Sequence, residues 1–211
     1  MNTLRTSISA LLCAVAAQSN ATMLTIGIDM SGSNPVLSSP DIAVASGRLV
    51  KSRIAALEPG DVVVLKTLGN LSAANARSER FLISKRNQMK VAAQIAGYVA
   101  TLPAKKLAGQ ESTNLVAWYE FGEFDCAHHG AILTISDAIE GSAEISAKQF
   151  LSGKPLPKPK TPFLTGCAVQ IVGLGTDTDG RLTPVQTRHI RNTWQSWMTA
   201  AGATFNAIIN P

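Results

Sequence analysis

Two spacings of apolar residues alternate along this chain. Met23-Leu24-Thr25-Ile26-Gly27-Ile28 is a nearly continuous apolar run of strand length. Asp41 then reads as a helix N-cap, and Ile42, Ala45, Leu49, Val50, Ile54 and Leu57 recur three and four residues apart. That spacing predicts an amphipathic helix, which Pro59-Gly60 ends. Residues 61–66 are β-branched and apolar, a second strand, and 68–77 reads as a polar loop. Residues 80–85 suit a short edge strand with charged flanks. Met89, Ala92, Ile95, Ala96, Val99 and Leu102 form another helical stripe, stopped by Pro103. After a loop at 105–110, Ser112-Thr113-Asn114 opens a helix carrying Leu115, Trp118 and Tyr119.

The same alternation continues to the C-terminus. Residues 130–135 form a buried strand ending in Ser136-Asp137, and 167–172 form the next, ending at Gly173-Leu174-Gly175. Between them, 152–160 is rich in Pro and Lys and reads as an exposed, semi-rigid loop. Thr183-Pro184 suits a cap and first turn, and the helix after it places Ile190, Trp194, Trp197, Met198 and Ala201 on one face. Residues 203–209 make a last strand. Strands that alternate with helices, most of them apolar throughout, predict an α/β fold: a three-layer α/β/α, doubly wound, mainly parallel sheet. No internal repeat breaks this order.

Length and composition add the compartment and the class. At 211 residues and 45% hydrophobic content the chain supports one globular domain with a substantial core. Residues 1–21 carry Arg5, an apolar stretch from Ile8 to Ala17, and small residues at Ser19 and Ala21. They are expected to be a cleaved secretory signal, leaving a domain over 22–211, in the periplasm or secreted. The apolar stretch is short of the ~18–20 residues of a membrane span, and Ala10-Leu11-Leu12 before Cys13 is a poor lipoprotein site. The net charge is +5, with the basic residues spread along the chain. Without a binding motif this argues for a solvated surface rather than for nucleic acid, and leaves an acidic partner surface open. Cys126 and Cys167 remain beyond the signal, and an even pair in an exported protein invites a disulfide.

The chemistry concentrates where the first strand ends. Asp29-Met30-Ser31-Gly32-Ser33 offers one carboxylate and two hydroxyls at alternate positions. An all-oxygen set suits Mg²⁺, Mn²⁺ or Ca²⁺ rather than softer metals. The plainer reading is that Ser31 and Ser33 cap a turn and Asp29 binds loop amides.

With that motif after the first strand, the whole of 23–209 resembles a von Willebrand factor A domain. In that family Asp-x-Ser-x-Ser, a Thr opening a mid-chain helix and an Asp after the fourth strand form a metal-ion-dependent adhesion site. The resemblance therefore implies metal ligands at Asp29, Ser31, Ser33, Thr113 and Asp137. It implies a cation, Mg²⁺ or else Mn²⁺ or Ca²⁺, that accepts an Asp or Glu carboxylate from a protein ligand, without turnover. Ser112 and Ala138 stand where the family usually has Gly, which bears on the local loop geometry. The resemblance also places Cys126 and Cys167 before neighbouring parallel strands, at the sheet edge opposite the metal, and so implies a disulfide between them.

Other features weigh less. His128 and His129 lack the second pair of a zinc site. His189, on an Arg-rich helix, reads as solvated. Asp177-Thr178-Asp179-Gly180 lacks the later Glu of a calcium loop and reads as an acidic turn. Trp118, Tyr119, Phe121 and Phe124 follow Thr113 closely, and an exposed member would serve as a binding anchor. The function expected is a metal-dependent, non-enzymatic protein-binding module acting outside the cytoplasm. The alternatives are a metal-free scaffold of an envelope assembly and a serine hydrolase using Ser31 or Ser33. The hydrolase lacks a Gly-x-Ser-x-Gly elbow.

Overall fold

A computed structural model describes residues 21–69, 77–105, 113–176, 182–209 and 211. The signal expected over 1–21 and the acidic turn at 177–180 fall almost entirely outside these residues. Six strands form one sheet: β1 (Met23–Asp29), β2 (Val62–Leu68), β3 (Ser78–Leu82), β4 (Ala131–Ile135), β5 (Ala168–Val172) and β6 (Thr204–Ile208). Their spatial order is β3-β2-β1-β4-β5-β6. Every pairing is parallel except β2 with β3. The fold is therefore α/β with a mainly parallel, doubly wound sheet. β3 is the antiparallel edge strand, over 78–82 rather than 80–85; its ladder with β2 ends at the Val62–Leu82 pair, and beyond it Ile83 is tied by backbone bonds to Asp61 and Gly60, at the turn that precedes β2.

β1 is buried at all seven positions because both its faces are covered. Leu24, Ile26 and Ile28 pack with α1 (Pro40–Ala55) and α2 (Gln88–Ala100). On the other face, Ile132, Val169 and Ile171 pack with α3 (Leu115–Phe121), α4 (Ala147–Leu151) and α5 (Pro184–Ala200). β6 alternates Thr204 and Asn206, exposed, with Phe205 and Ala207, which pack against α5's core. A half-buried strand reads in this way.

Local chemistry explains the differences from the sequence reading. The N-cap of α1 is Ser39, whose hydroxyl accepts from the Ile42 amide, with Pro40 at the first position; Asp41 lies inside the first turn. α4 lies within the stretch expected to be loop, held by a Ser146–Gln149 capping box and anchored by buried Phe150. In the Pro/Lys segment the three lysines are exposed, yet Leu156 is buried and the Pro157 carbonyl accepts from Trp197 Nε1 at 2.8 Å. That segment is a strap fixed to α5. Cys126 and Cys167 are joined by a disulfide just before β4 and β5.

Candidate metal centre

The strand order reverses direction between β1 and β4: the chain runs outward from β1 through β2 to β3, then returns to β4 and continues to β6. Open α/β sheets bind ligands at such a switch point, beyond the carboxyl ends of the strands. The parallel register pairs Ile28 with Ile135, so the next residues, Asp29 and Ser136, emerge side by side.

Asp29 is fully buried and holds three donors. Its Oδ1 accepts from the Ser31 amide at 2.8 Å and from the Thr113 hydroxyl. Its Oδ2 accepts from the Ser136 hydroxyl at 2.6 Å. The hydroxyls of Ser31 and Ser33 lie 3.2 Å apart. Asp29, Ser31, Ser33 and Thr113 are thus brought into one oxygen cluster. By donating to Asp29, Thr113 turns its lone pairs away from the carboxylate, which leaves that oxygen free to face a cation. Asn34, which is 1% exposed, ties the two strand ends together by donating to the carbonyls of Asp29 at 2.7 Å and Ile135 at 3.1 Å.

Asp137 is also fully buried, and its Oδ1 accepts from the Ile139 amide at 3.0 Å. It follows Ser136 directly and so starts at the same rim. The loop it opens is fastened at every step. The Ser136 amide bonds Val172, the Gly175 amide bonds the Asp137 carbonyl, and Trp194 Nε1 bonds the Ala138 carbonyl at 2.8 Å. Ala138 has φ +63°, a left-handed conformation that suits Gly. The departure noted at this position therefore costs backbone strain, and the loop keeps the conformation that Gly would adopt freely.

Glu140 closes the loop beneath Thr113. Its side chain is fully buried, and Oε2 accepts from the amides of Leu115 at 2.9 Å and Val116 at 3.2 Å, the first turn of α3. The next residue, Gly141, donates its amide to the Thr113 carbonyl at 3.0 Å. Burial pushes the Glu140 carboxyl up to about 7, against the pull of those two amides, and the Asp29 charge adds to the rise.

Ser136, Asn34 and Glu140 were not singled out by the sequence reading. For Ser136 a signal existed: a hydroxyl at the end of a strand neighbouring the motif strand. Glu140 offered none, since an acid after Ile139 resembles any surface carboxylate. Among the aromatic run, Tyr119 is buried and Phe121 is 81% exposed. His128 bonds Asp125 at 2.7 Å, close to the disulfide, and His189 lies against Phe150. Among the described residues no group of three or more His, Cys, Asp and Glu stands together as a metal site. The cluster's donors are one carboxylate, Asp29, and hydroxyls, an all-oxygen set of the kind hard cations take; the Asp137 carboxylate starts from the same rim and bonds the Ile139 amide of its own loop.

No protein-family model matches the chain, and no curated protein matches it. Among solved structures the chain is similar to an aerotolerance-related membrane protein from Bacteroides fragilis NCTC 9343, carrying multiple mutations to serines. The identity is 13% and the TM-score 0.45, over 89% of this chain and 92% of that one. A likeness at that level adds no weight to the assignment of fold or function, which rests on the geometry above.

Proposed function

We propose that this chain is a von Willebrand factor A-type binding module that holds a divalent cation at Asp29, Ser31, Ser33, Thr113 and Asp137. One observation carries the reading. A fully buried carboxylate, Asp29, sits at the switch point bonded only to neutral donors, the Ser31 amide and the hydroxyls of Thr113 and Ser136, with the Ser31 and Ser33 hydroxyls paired in the same motif. Burying a charge without a counter-charge is costly, and a hard cation supplies that charge. Mg²⁺ fits an incomplete protein shell best, because it keeps waters that a partner's Asp or Glu carboxylate can replace. The module binds and does not turn substrate over. The disulfide favours an oxidising compartment, the periplasm or beyond.

The test is calorimetric titration of the metal-stripped protein with Mg²⁺, Mn²⁺ and Ca²⁺, beside Asp29→Ala and Thr113→Ala. Binding near 1:1, lost in both variants, supports the reading. No binding by a folded wild type refutes it. The second reading, a metal-free scaffold, then takes its place. It is favoured by the hydrogen bonds that already satisfy both Asp29 oxygens from within.

A further inference from the structure

A groove of about 810 Å³ opens beside the oxygen cluster, between the β2–β3 edge and α3. It is lined by Lys66 and Leu68 of β2, by Asn114, Trp118 and Phe121 at and along α3, and by Gly141. Three links join it to the cluster. The Leu68 carbonyl accepts from the amide of Met30, the residue after Asp29, at 3.1 Å. Asn114 follows Thr113 directly. Gly141 donates to the Thr113 carbonyl at 3.0 Å.

The groove's chemistry selects an occupant. Phe121 is 81% exposed at the rim, and Trp118 packs edge-on against Phe124 behind it, at 5.2 Å. An exposed aromatic over a concave apolar surface marks an interaction site. Among the described residues no acid lines the groove, and Lys66 gives its lining a cationic side chain. Arg77 also lines it, but its guanidinium is engaged by Glu79 at 2.6 Å and by the Tyr98 ring, so among the described residues Lys66 is the cation on offer. A carboxylate held at the cluster belongs to a chain that must continue somewhere. Extended chain advances about 3.4 Å per residue, so a side chain two residues along lies about 7 Å on and on the same side of the strand, and the three links above set the groove next to the cluster.

We propose that the partner carries its cation-binding carboxylate on an acidic peptide segment, which lays an apolar side chain into this groove against Phe121 and Trp118 and a second carboxylate at Lys66. The proposal rests on the cation reading above and adds the partner's sequence character: two acids flanking an apolar residue.

The test selects a random peptide library on the immobilised wild-type protein in Mg²⁺. Enriched peptides are then measured by fluorescence anisotropy on wild type, Phe121→Ser, Lys66→Glu and Ala117→Arg, the last filling the groove from α3. Calorimetry with Mg²⁺ accompanies each variant. Expected are peptides with acids beside an apolar residue, whose affinity falls about tenfold or more in each groove variant while Mg²⁺ binding is unchanged. Peptides without that pattern, peptides indifferent to all three variants, or no enrichment by a protein that binds Mg²⁺ would each overturn the proposal. Failure of the cation reading is distinct: binding then survives chelation and Asp29→Ala, and the groove variants still decide where the peptide sits. Phe121 is a surface side chain, so its variant keeps the test open should a substitution at Lys66 or Ala117 disturb folding.

Discussion

Glu140 gives the sharpest test of the reasoning about burial. Its carboxyl ionises near the usual value, 4.5, in the unfolded chain and at about 7 in the folded one. Below pH 4.5 both states are protonated and the group is neutral to stability. As pH rises to about 7 the unfolded chain gives up the proton first, so the folded state binds more protons and stability falls. The displacement corresponds to about 3 kcal/mol at about 1.4 kcal/mol per tenfold change in proton affinity. Gln is nearly isosteric, and its carbonyl can still accept from the Leu115 and Val116 amides. It carries no charge to desolvate.

Glu140→Gln is therefore expected to match wild type near pH 4.5 and to exceed it by about 2–3 kcal/mol near pH 8, after allowing for the weaker neutral hydrogen bonds. The assay is urea unfolding of both proteins at intervals from pH 4 to 8, taking the difference at each pH, so that other titrating groups cancel. A difference that stays constant within about 1 kcal/mol across this range refutes the account. A wild type that gains on the variant as pH rises refutes it more strongly. It would mean that the two amides at the start of α3 outweigh burial.

Three further outcomes follow from the same structure. Thr113→Val keeps the shape but removes a donor to buried Asp29; it should cost about 1–2 kcal/mol in urea unfolding and abolish Mg²⁺ binding by calorimetry. Ala138→Gly relieves a left-handed conformation worth about 1–2 kcal/mol but loses a buried methyl and loosens the unfolded chain, so its unfolding midpoint should stay within about 1 kcal/mol of wild type. Ala138→Val, β-branched at positive φ, should lose at least about 2 kcal/mol. Replacing Cys126 and Cys167 by Ser opens a loop spanning 41 residues and should cost about 4 kcal/mol in thermal or urea unfolding, without altering Mg²⁺ affinity, because the bridge lies at the opposite end of β4 and β5 from the cluster.

The sheet was legible because parallel strands buried on both faces must be apolar at nearly every position, as in Met23–Asp29 and Ala131–Ile135. Helices were legible where an apolar stripe ran for several turns, as in α1, α2 and α5. α4 escaped because five residues with one buried side chain, Phe150, give periodicity nothing to act on. The start of α1 was misplaced by two residues because Ser39 and Asp41 both suit a cap, and only the Ile42 amide chooses between them. In the cluster, Asp29, Ser31, Ser33 and Thr113 were readable as a motif with fixed spacing. Ser136 and Glu140 act through contacts made across 107 and 25 residues of sequence, which no local pattern encodes.

The tethering of the 136–141 loop bears on how a cation would be held. A left-handed Ala138 would relax if it could. It is kept in place by the Trp194 indole from α5, by Gly175 beyond β5 and by Gly141 bonded to Thr113, all drawing on cores that no ligand builds. The strain is thus set against packing, and the oxygens are positioned before anything binds. On the proposed reading, little ordering remains to be done when the cation arrives, so affinity depends on charge rather than on folding. Asp29 shares its charge among three donors, which weakens its hold on a cation. The positive charge left over is what a partner's carboxylate would answer. A site built this way should bind its cation weakly alone and more tightly with the partner present, because each ligand raises the affinity of the other by the same factor.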